Sequence, residues 1–333
     1  MKFPALLLLV VAALAFLPAC TKTTPYVSDD LRLRHKGADM PIWVRGNMED
    51  RKIVLFLHGG PGECAMCLRE YFAAVEEEVA VAYWDQRIAG SASGNADPAT
   101  LTYPQFAEDL RMVVLLLKKQ YPDAKIYLLG HSFGVEMAWQ FLTTPGNQDL
   151  VGGFVALNGT YSTFDWLHTV QQWVIEQAQT QNDTEALQYM QNIQLRPDNM
   201  ASVVQWGEWY TRMFRLGANP VWPSDDKAYA FKLWFATPHS KFSQITNVAL
   251  YDDYYSREIF TFNRRALLKD VHIPVALFWG AKDGIMPIAH AYETRELLST
   301  PTEIVRFEQS WHTAFYTEPE LFARELLRFV GEH

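Results

Sequence analysis

The sequence predicts an α/β fold, in which a mostly parallel central sheet is interrupted by a helical insertion. Helical patterns alternate with short, continuously apolar runs, and this alternation is typical of βαβ units. A continuous apolar run of about five residues indicates a strand that is buried on both faces. Residues 161–262 contain no run of this type, which indicates an all-helical insertion. The buried-strand runs are Ile53–Leu57, Val79–Trp84, Ile126–Leu129, Phe154–Leu157 and Val275–Trp279.

The remaining elements follow from shorter patterns. Leu31–His35 and Ile42–Val44 show a strand-like alternation, which predicts an opening antiparallel hairpin. Glu303–Phe307 is strand-like and precedes a helical pattern over Leu321–Val330. Apolar residues three and four positions apart predict further helices over Leu68–Glu78, Tyr103–Gln120 and Phe133–Thr143.

The composition is that of a globular protein. With 333 residues, of which 49% are hydrophobic, the chain can bury the core of one large domain or two smaller ones. Its 38 acidic residues outnumber its 29 basic residues, which gives a formal net charge of −9. Proteins that bind nucleic acid through its phosphates carry a basic patch. The composition therefore predicts no nucleic-acid partner.

Residues 1–20 have the pattern of a targeting segment. Lys2 precedes the apolar run Phe3–Leu17, which is shorter than the roughly 20 residues of a membrane-spanning helix. The run ends in Leu17-Pro18-Ala19-Cys20, which resembles a bacterial lipobox. That resemblance implies lipidation of Cys20 and a place in the cell envelope, anchored to a bacterial membrane on its periplasmic or surface side. The alternative is an ordinary cleaved signal peptide.

Residues 161–262 also differ from the rest of the chain in composition. They contain six tryptophans and Gln-rich helical stretches at Val170–Gln181 and Glu185–Gln194. We therefore predict a core formed by residues 26–160 and 263–333, with a helical cap inserted between them. The insertion follows a strand at the carboxyl edge of the sheet, where open α/β sheets bind ligands. This position favours a cap over a binding site rather than a purely structural addition.

The strongest local motif is the GxSxG pattern of Gly130–Gly134, which has Ser132 at its centre. The motif lies between the strand Ile126–Leu129 and the helix Phe133–Thr143, which is the context of a nucleophile elbow. In so sharp a turn, a side chain at either glycine position would collide with its neighbours. The motif predicts Ser132 as a catalytic nucleophile.

A serine hydroxyl is a weak nucleophile and needs a base, together with an acid that orients the base. In the chain order Ser, Asp, His, the candidates are Asp283 and His312. Asp283 lies in the turn after Val275–Trp279, and His312 follows Glu303–Phe307. Each alone could be an ordinary turn or loop residue, but both occupy strand ends in the required order. We predict a triad of Ser132, Asp283 and His312.

A glycine-rich segment, His58–Gly62 (HGGPG), directly follows the strand Ile53–Leu57. Glycines there can expose backbone N–H groups toward the negative oxygen of a tetrahedral intermediate. We predict the amides of Gly60 and Phe133 as the donors of this oxyanion hole.

Two further cysteines, Cys64 and Cys67, form a CxxC pattern. Such a pair can be a redox motif, half of a zinc site or a local disulfide. No second CxxC or histidine pair completes a zinc site, so the sequence predicts no metal. We favour two small residues packed at the start of a helix over a redox role.

Together these residues resemble the prolyl iminopeptidase family of α/β-hydrolases. The resemblance begins at about Ile53 and rests on HGGPG at His58–Gly62, on YWDQR at Tyr83–Arg87 and on the triad. It implies the α/β-hydrolase fold and hydrolysis of amide or ester bonds, in the peptidase case with release of an amino-terminal residue. It also implies a protein without metal or organic cofactor. A cap over the site would limit substrates to small molecules or short peptides.

The cap departs from the family pattern at the position that binds the substrate's amino group. Aminopeptidases of the family carry Trp-x-x-Trp-Glu there, and the acid supplies the binding carboxylate. Here Trp206 and Trp209 are followed by Tyr210, and the nearest acid, Glu208, lies one position early. Glu63, beside the oxyanion loop, is the second candidate for this carboxylate.

Other departures leave the substrate open. Ile88 stands where the family has the glycine that follows Asp-Gln-Arg, and Trp311 precedes His312 where glycine is common. Among enzymes, the alternative to an aminopeptidase is a small-molecule esterase or amidase with the same triad. Outside enzymes, it is a surface lipoprotein that binds a ligand without turnover.

Overall fold

The computed structural model describes residues 25–221 and 257–333. In this part of the chain, nine strands form one sheet, in the order β1-β2-β4-β3-β6-β7-β8-β9, and the short β5 pairs with β2. The strands are β1 (Tyr26–His35), β2 (Ala38–Asn47), β3 (Lys52–Leu57), β4 (Ala80–Trp84), β5 (Ser93–Gly94), β6 (Lys125–His131), β7 (Gly153–Leu157), β8 (Val275–Gly280) and β9 (Thr302–Phe307).

The sheet is antiparallel at one edge and parallel in the rest. β1 and β2 form the predicted hairpin, and β2 pairs antiparallel with β4. From β4 through β3, β6, β7 and β8 to β9, every neighbouring pair is parallel. All the predicted strands are therefore confirmed. From β3 to β9 the bounds of the predicted strands differ by one or two residues, whereas both strands of the hairpin are several residues longer than predicted.

The α-helices of the described residues are α1 to α10, with a 3-10 helix at Met66–Phe72 before α1. They are α1 (Ala73–Glu76), α2 (Tyr103–Gln120), α3 (Phe133–Leu142), α4 (Thr163–Gln181), α5 (Thr184–Gln191), α6 (Met200–Val203), α7 (Trp206–Arg215), α8 (Ala289–Leu297), α9 (Ala314–Thr317) and α10 (Pro319–Glu332).

The predicted helix over Leu68–Glu78 is not a continuous α-helix in the structure. It is divided at Phe72 into the 3-10 helix and the short α1. The buried Phe72 ring lies 4.8 Å from the ring of Phe56 and 5.7 Å from that of Phe322. We attribute the break to this packing, which fixes the ring between the sheet and α10.

The core lies on both faces of the sheet because the central strands alternate between them. In β3, Ile53, Leu55 and Leu57 pack on one face, with α2 and α3, while Val54 and Phe56 pack on the other, with α10. All five side chains are fully buried. This two-sided burial explains why the strand is apolar at every one of these positions.

The described parts of the predicted cap, residues 161–221 and 257–262, contain α4 to α7, a 3-10 helix at Ile259–Thr261 and no strand. The helical stretches predicted there are confirmed, and α5 ends at Gln191 rather than at Gln194. The proposed cap boundary at residue 262 stays a prediction. The signal segment, with Cys20, and residues 222–256 lie outside the described residues. Within residues 25–221 and 257–333, no helix has the length and apolarity to cross a membrane.

Candidate active site

Ser132 occupies a sharp turn between β6 and α3. Its backbone has φ 53° and ψ −119°, a conformation that is unfavourable for a residue with a side chain. The turn is held because the Ser132 N–H donates to the Leu157 carbonyl at 3.0 Å and the Ser132 carbonyl accepts from the Val135 N–H at 2.9 Å. This is the geometry of a nucleophile elbow.

The two glycines of the motif allow α3 to lie close to the sheet. A Cβ at Gly134 would lie 2.1 Å from the Leu57 carbonyl oxygen, and one at Gly130 would lie 2.8 Å from the Gly134 carbonyl. Both distances are too short for any side chain, and in both cases the obstacle is backbone. The requirement for glycine that the motif predicted is therefore confirmed.

Asp283 follows β8 and is buried. Its Oδ1 accepts from the backbone N–H groups of Ile285, at 2.8 Å, and Met286, at 3.0 Å. Its Oδ2 accepts from Nδ2 of Asn158, the residue directly after β7. Three N–H donors therefore hold the carboxylate in one orientation.

His312 lies 29 residues after Asp283 and is also buried. Its Nδ1 lies 2.7 Å from Oδ2 of Asp283, within hydrogen-bond distance. Gly280, at the end of β8, lets the two loops meet, because a Cβ there would lie 1.8 Å from the Trp311 carbonyl oxygen. The structure thus brings together the acid and the base that the sequence predicts.

A cavity of about 360 Å³ opens above these loops. On the core side it is lined by the elbow at Ser132, by the segment that contains Gly60 and Glu63, and by the loops that carry Asp283 and His312. On the side of the insertion it is lined by α7. The lining residues are Gly60, Glu63, Ser132, Tyr210, Phe214, Ile285 and His312. The predicted nucleophile and base therefore face the same cavity, with Asp283 behind His312.

The predicted oxyanion donors flank this cavity. Gly60 lines it and has φ +110°, a backbone conformation that favours glycine. Phe133 follows Ser132 as the first residue of α3, so its N–H belongs to the helix end that lacks intrahelical acceptors. The positive end of the helix dipole also favours negative charge there.

The two predicted substrate-binding acids have different positions. Glu63 lines the cavity, and its Oε2 would lie 3.0 Å from a Cβ built at Gly59. Glu208 does not line it: its carboxylate pairs with Arg212 at 2.6 Å, one turn along α7. Tyr210 and Phe214 take the cavity side of that helix, so Glu208 is turned to another face, as expected for a position about 200° away.

Four buried titratable groups surround the site. Burial lowers the pKa of His131 to about 3 and that of His58 to about 4, so both imidazoles are neutral near pH 7. Burial raises the pKa of Asp85 to about 7 although backbone N–H groups donate to it. Burial also raises the pKa of Glu136 to about 8, against the opposing hydrogen bond from the Tyr103 hydroxyl.

Cys64 and Cys67 are joined by a disulfide, with their Cα atoms 5.5 Å apart. The interpretation of two merely packed small residues is wrong, because the side chains are bonded; the local disulfide is the alternative that holds. The Ala65 N–H between them donates to Asp85 at 2.7 Å. Across residues 25–221 and 257–333, no group of three or more His, Cys, Asp or Glu side chains is placed to hold a metal ion.

Several site residues were not predicted from the sequence. Asn158 could have been found as a polar residue directly after a buried strand, the same signal that marks Asp283. Tyr210 and Phe214 share a helix face at i and i+4, but no local pattern indicates that this face meets Ser132. Asn219, which accepts the His312 N–H through Oδ1 at 3.2 Å, has no signal in the sequence.

The chain is similar to known hydrolases. It is 24% identical to the probable aminopeptidase YbaC of Bacillus subtilis (strain 168) over 310 residues, which cover 84% of this chain and 89% of that protein. A shorter stretch of 65 residues is 35% identical to the pimeloyl-(acyl-carrier protein) methyl ester esterase of Vibrio vulnificus (strain CMCP6), over 20% of this chain and 25% of that protein.

Among solved structures, the proline iminopeptidase-related protein from Thermus thermophilus is similar in fold, with a TM-score of 0.60 at 19% identity. The similarity covers 92% of this chain and 98% of that one. The sequence model of the alpha/beta hydrolase fold matches residues 52–319, more than half of the chain. The family resemblance carried by the motifs is therefore confirmed, and the chain belongs to the alpha/beta hydrolase fold family.

Proposed function

We propose that this hydrolase is a serine hydrolase that cleaves amide or ester bonds through Ser132, His312 and Asp283. The single observation that carries the proposal is the 2.7 Å contact between His312 Nδ1 and Asp283 Oδ2, behind a cavity lined by His312 and Ser132. A base oriented by an acid and facing a strained serine is the arrangement that activates a hydroxyl.

The proposed reaction is acyl transfer in two steps. His312 takes the Ser132 proton as the serine oxygen attacks the substrate carbonyl, and the same proton then passes to the leaving group. The Gly60 and Phe133 amides stabilise the negative oxygen of the tetrahedral intermediate. Water, deprotonated by His312, then attacks the acyl-enzyme and releases the acid.

Asp283 acts as an orienting group in this reaction. Two backbone N–H groups and the Asn158 amide donate to its carboxylate and hold it in one orientation. The carboxylate therefore fixes the imidazole with Nδ1–H toward Asp283 and leaves Nε2 to act as the base.

The test is labelling with a fluorophosphonate probe, which reacts with activated serines. We expect the wild-type protein to be labelled and Ser132→Ala to remain unlabelled while it keeps its thermal unfolding temperature. Ser202→Ala is a matched control, because Ser202 is an exposed serine of the insertion. Labelling of Ser132→Ala at the wild-type rate would refute the assignment.

A second, narrower candidate is an aminopeptidase of the prolyl iminopeptidase type, acting on a small amide or a short peptide. The observation that favours it is Glu63, which is the carboxylate among the described residues that line the cavity with Ser132. A carboxylate in that position suits the free ammonium group of a substrate. The similarity to a probable aminopeptidase supports the same activity.

Free and amino-blocked proline amides separate the candidates. An aminopeptidase cleaves the free amine and loses activity when the amine is acylated, and Glu63→Gln should raise KM for the free amine by roughly tenfold. Glu208→Gln is the matched control and should leave KM unchanged. Equal cleavage of both substrates would indicate a small-molecule esterase or amidase, and ligand binding without labelling or turnover would indicate a binding protein.

We also propose that Cys20 is lipidated and anchors the protein to a bacterial membrane. The support is the sequence pattern of residues 1–20 alone. Intact mass of the protein from membranes should show an amino-terminal Cys20 with added acyl chains. A mature protein with unmodified cysteine, or one recovered without detergent, would contradict the anchor.

A further inference from the structure

The segment that follows α7 contacts both loops that carry the proposed acid and base. The Ala218 carbonyl accepts from the Gly284 N–H at 2.9 Å, in the loop of Asp283. One residue later, Asn219 Oδ1 accepts from the His312 N–H at 3.2 Å. Ala218 and Asn219 are both buried, at 0% and 3% exposure.

This contact is close-packed. A Cβ at Gly284 would lie 2.7 Å from the Cα atom of Ala218 and 2.5 Å from the ring of Trp173 on α4. Even one carbon added at Gly284 would collide with the backbone of Ala218. The loop after Asp283 and the segment Leu216–Asn219 therefore pack directly against each other. The insertion is thus fixed against the core next to the triad.

His312 is held at three points. Asp283 contacts Nδ1, His131 Nε2 donates to the main-chain carbonyl at 2.8 Å, and Asn219 accepts from the main-chain N–H. Asp283 and His131 belong to the core, whereas Asn219 belongs to the insertion. A buried main-chain N–H requires an acceptor, so the position of Asn219 bears directly on the backbone of His312.

We propose that Asn219 is a positioning residue, through which the insertion sets the orientation of His312 toward Ser132. This inference rests on the proposed serine hydrolase function. The same helix that ends near Asn219 presents Tyr210 and Phe214 to the cavity, and the chain turns at Gly217 with φ +87° before reaching Asn219. A substrate that contacts these two rings therefore also stabilises the segment that holds His312.

Two variants test the proposal. Asn219→Ala removes the acceptor, and we expect kcat to fall by roughly ten- to a hundredfold, with KM changed by less than about threefold. Asn219→Asp keeps an acceptor oxygen, so kcat at alkaline pH should recover to within about threefold of the wild type.

The Asp variant also tests whether the side chain at position 219 lies next to His312 in solution. Its new carboxylate favours a protonated imidazole, so the acid limb of kcat/KM should move to higher pH. Among the described residues, the titratable groups that contact or face His312 include Asp283, His131 and, across the cavity, Glu63, and all three are unchanged in both variants.

Asn199→Ala is the matched control, because Asn199 also accepts a backbone N–H through Oδ1, that of Arg196 at 2.8 Å, but inside the insertion. It should retain kcat. A kcat of Asn219→Ala within twofold of the wild type, or an unmoved acid limb in Asn219→Asp, would overturn the proposal. So would a loss of kcat that Asn219→Asp does not restore.

A readout independent of turnover separates this proposal from the proposed function. We expect the proton between His312 Nδ1 and Asp283 to give a downfield NMR resonance, which should shift or broaden in Asn219→Ala and not in Asn199→Ala. An unchanged resonance overturns the role of Asn219. Absence of fluorophosphonate labelling in the wild type, with a resonance that responds to Asn219→Ala, instead refutes the proposed function alone.

Discussion

His131 donates through Nε2 to the main-chain carbonyl of His312 at 2.8 Å, and the two imidazole rings lie 5.0 Å apart. The residue before the proposed nucleophile therefore holds the backbone of the proposed base. Nδ1 of His131 is buried and has no hydrogen-bond partner among the described residues. Burial accordingly favours the neutral ring, which is the form that can donate through Nε2 alone.

The first prediction concerns acid stability. Burial lowers the pKa of His131 to about 3, from 6.5 in an unfolded chain. Below pH 6.5 the unfolded chain binds a proton that the folded protein does not, so stability is lost as the pH falls toward 3. His131→Phe removes this loss, and from pH 7.5 to 5 the variant should gain about 2 kcal/mol relative to the wild type.

At pH 7.5 the same variant should be less stable by about 1–3 kcal/mol, because the His312 carbonyl loses its donor. Urea unfolding at pH 7.5, 6 and 5 measures the difference between the two proteins. His58 retains its own buried imidazole in both, so it cancels from the comparison. A stability difference that stays constant across this range would contradict the protonation argument.

The second prediction concerns Asp283. Asp283→Asn replaces the acceptor of the His312 Nδ1 proton by an amide, which reverses the preferred imidazole tautomer. We expect kcat to fall by roughly four orders of magnitude, with the fold retained. The measurement is ester hydrolysis beside circular dichroism, and a loss of less than tenfold would show that Asp283 does not orient the base.

The parts of the molecule that sequence patterns predict are those where local chemistry decides the structure. β3 is apolar at every position from Ile53 to Leu57 because helices cover both faces of the sheet, and this makes the strand visible in the sequence. Ser132, Asp283 and His312 share a second property, since each follows a strand of the parallel part of the sheet: Ser132 and Asp283 follow the buried strands β6 and β8, and His312 follows the terminal strand β9. Parallel strands bring such residues to one edge of the sheet, so the three residues of the proposed triad could be expected to lie near one another before any contact was known.

The parts that were not predicted depend on contacts distant in sequence. The spacing from two tryptophans predicts Glu208 as a substrate-binding acid, but the rotation of α7 is set by packing, which places Tyr210 and Phe214 toward the cavity. Ile88, where the family carries glycine, has φ 57°, which is a rare backbone conformation for a β-branched residue. No local sequence pattern could indicate that Ile88 adopts a positive φ, a conformation that glycine adopts more readily.

The third prediction concerns the buried pair of Arg87 and Asp109. Both side chains are fully buried, and Nη2 of Arg87 lies 2.7 Å from Oδ1 of Asp109. Asp109→Asn leaves the guanidinium buried without a counter-charge, so the free energy of unfolding should fall by about 3–5 kcal/mol. Asp123→Asn, which removes an exposed partner of Arg51, should change it by less than about 1 kcal/mol. If both variants lowered the free energy of unfolding by the same amount, the buried pair would contribute no more to stability than the exposed pair.

The fourth prediction concerns alkaline stability and Glu136. Burial raises the pKa of this carboxyl to about 8, from 4.5 in an unfolded chain. Between these values the folded protein retains a proton that the unfolded chain has lost, so stability falls as the pH rises. Glu136→Gln has no such proton, and its stability relative to the wild type should increase by about 1.4 kcal/mol per pH unit from pH 5 to 8.

The Gln variant keeps an oxygen that can accept from the Tyr103 hydroxyl, so the comparison isolates the charge. Glu176→Gln, at an exposed position of α4, is the control and should follow the wild type at every pH. Guanidinium unfolding at pH 5, 6, 7 and 8 gives the slope. If the difference in the free energy of unfolding between the variant and the wild type did not change with pH, Glu136 would be ionised in the folded protein, with a counter-charge supplied by a group that faces it. A rising difference would establish that a neutral acid lies one helical turn after Ser132.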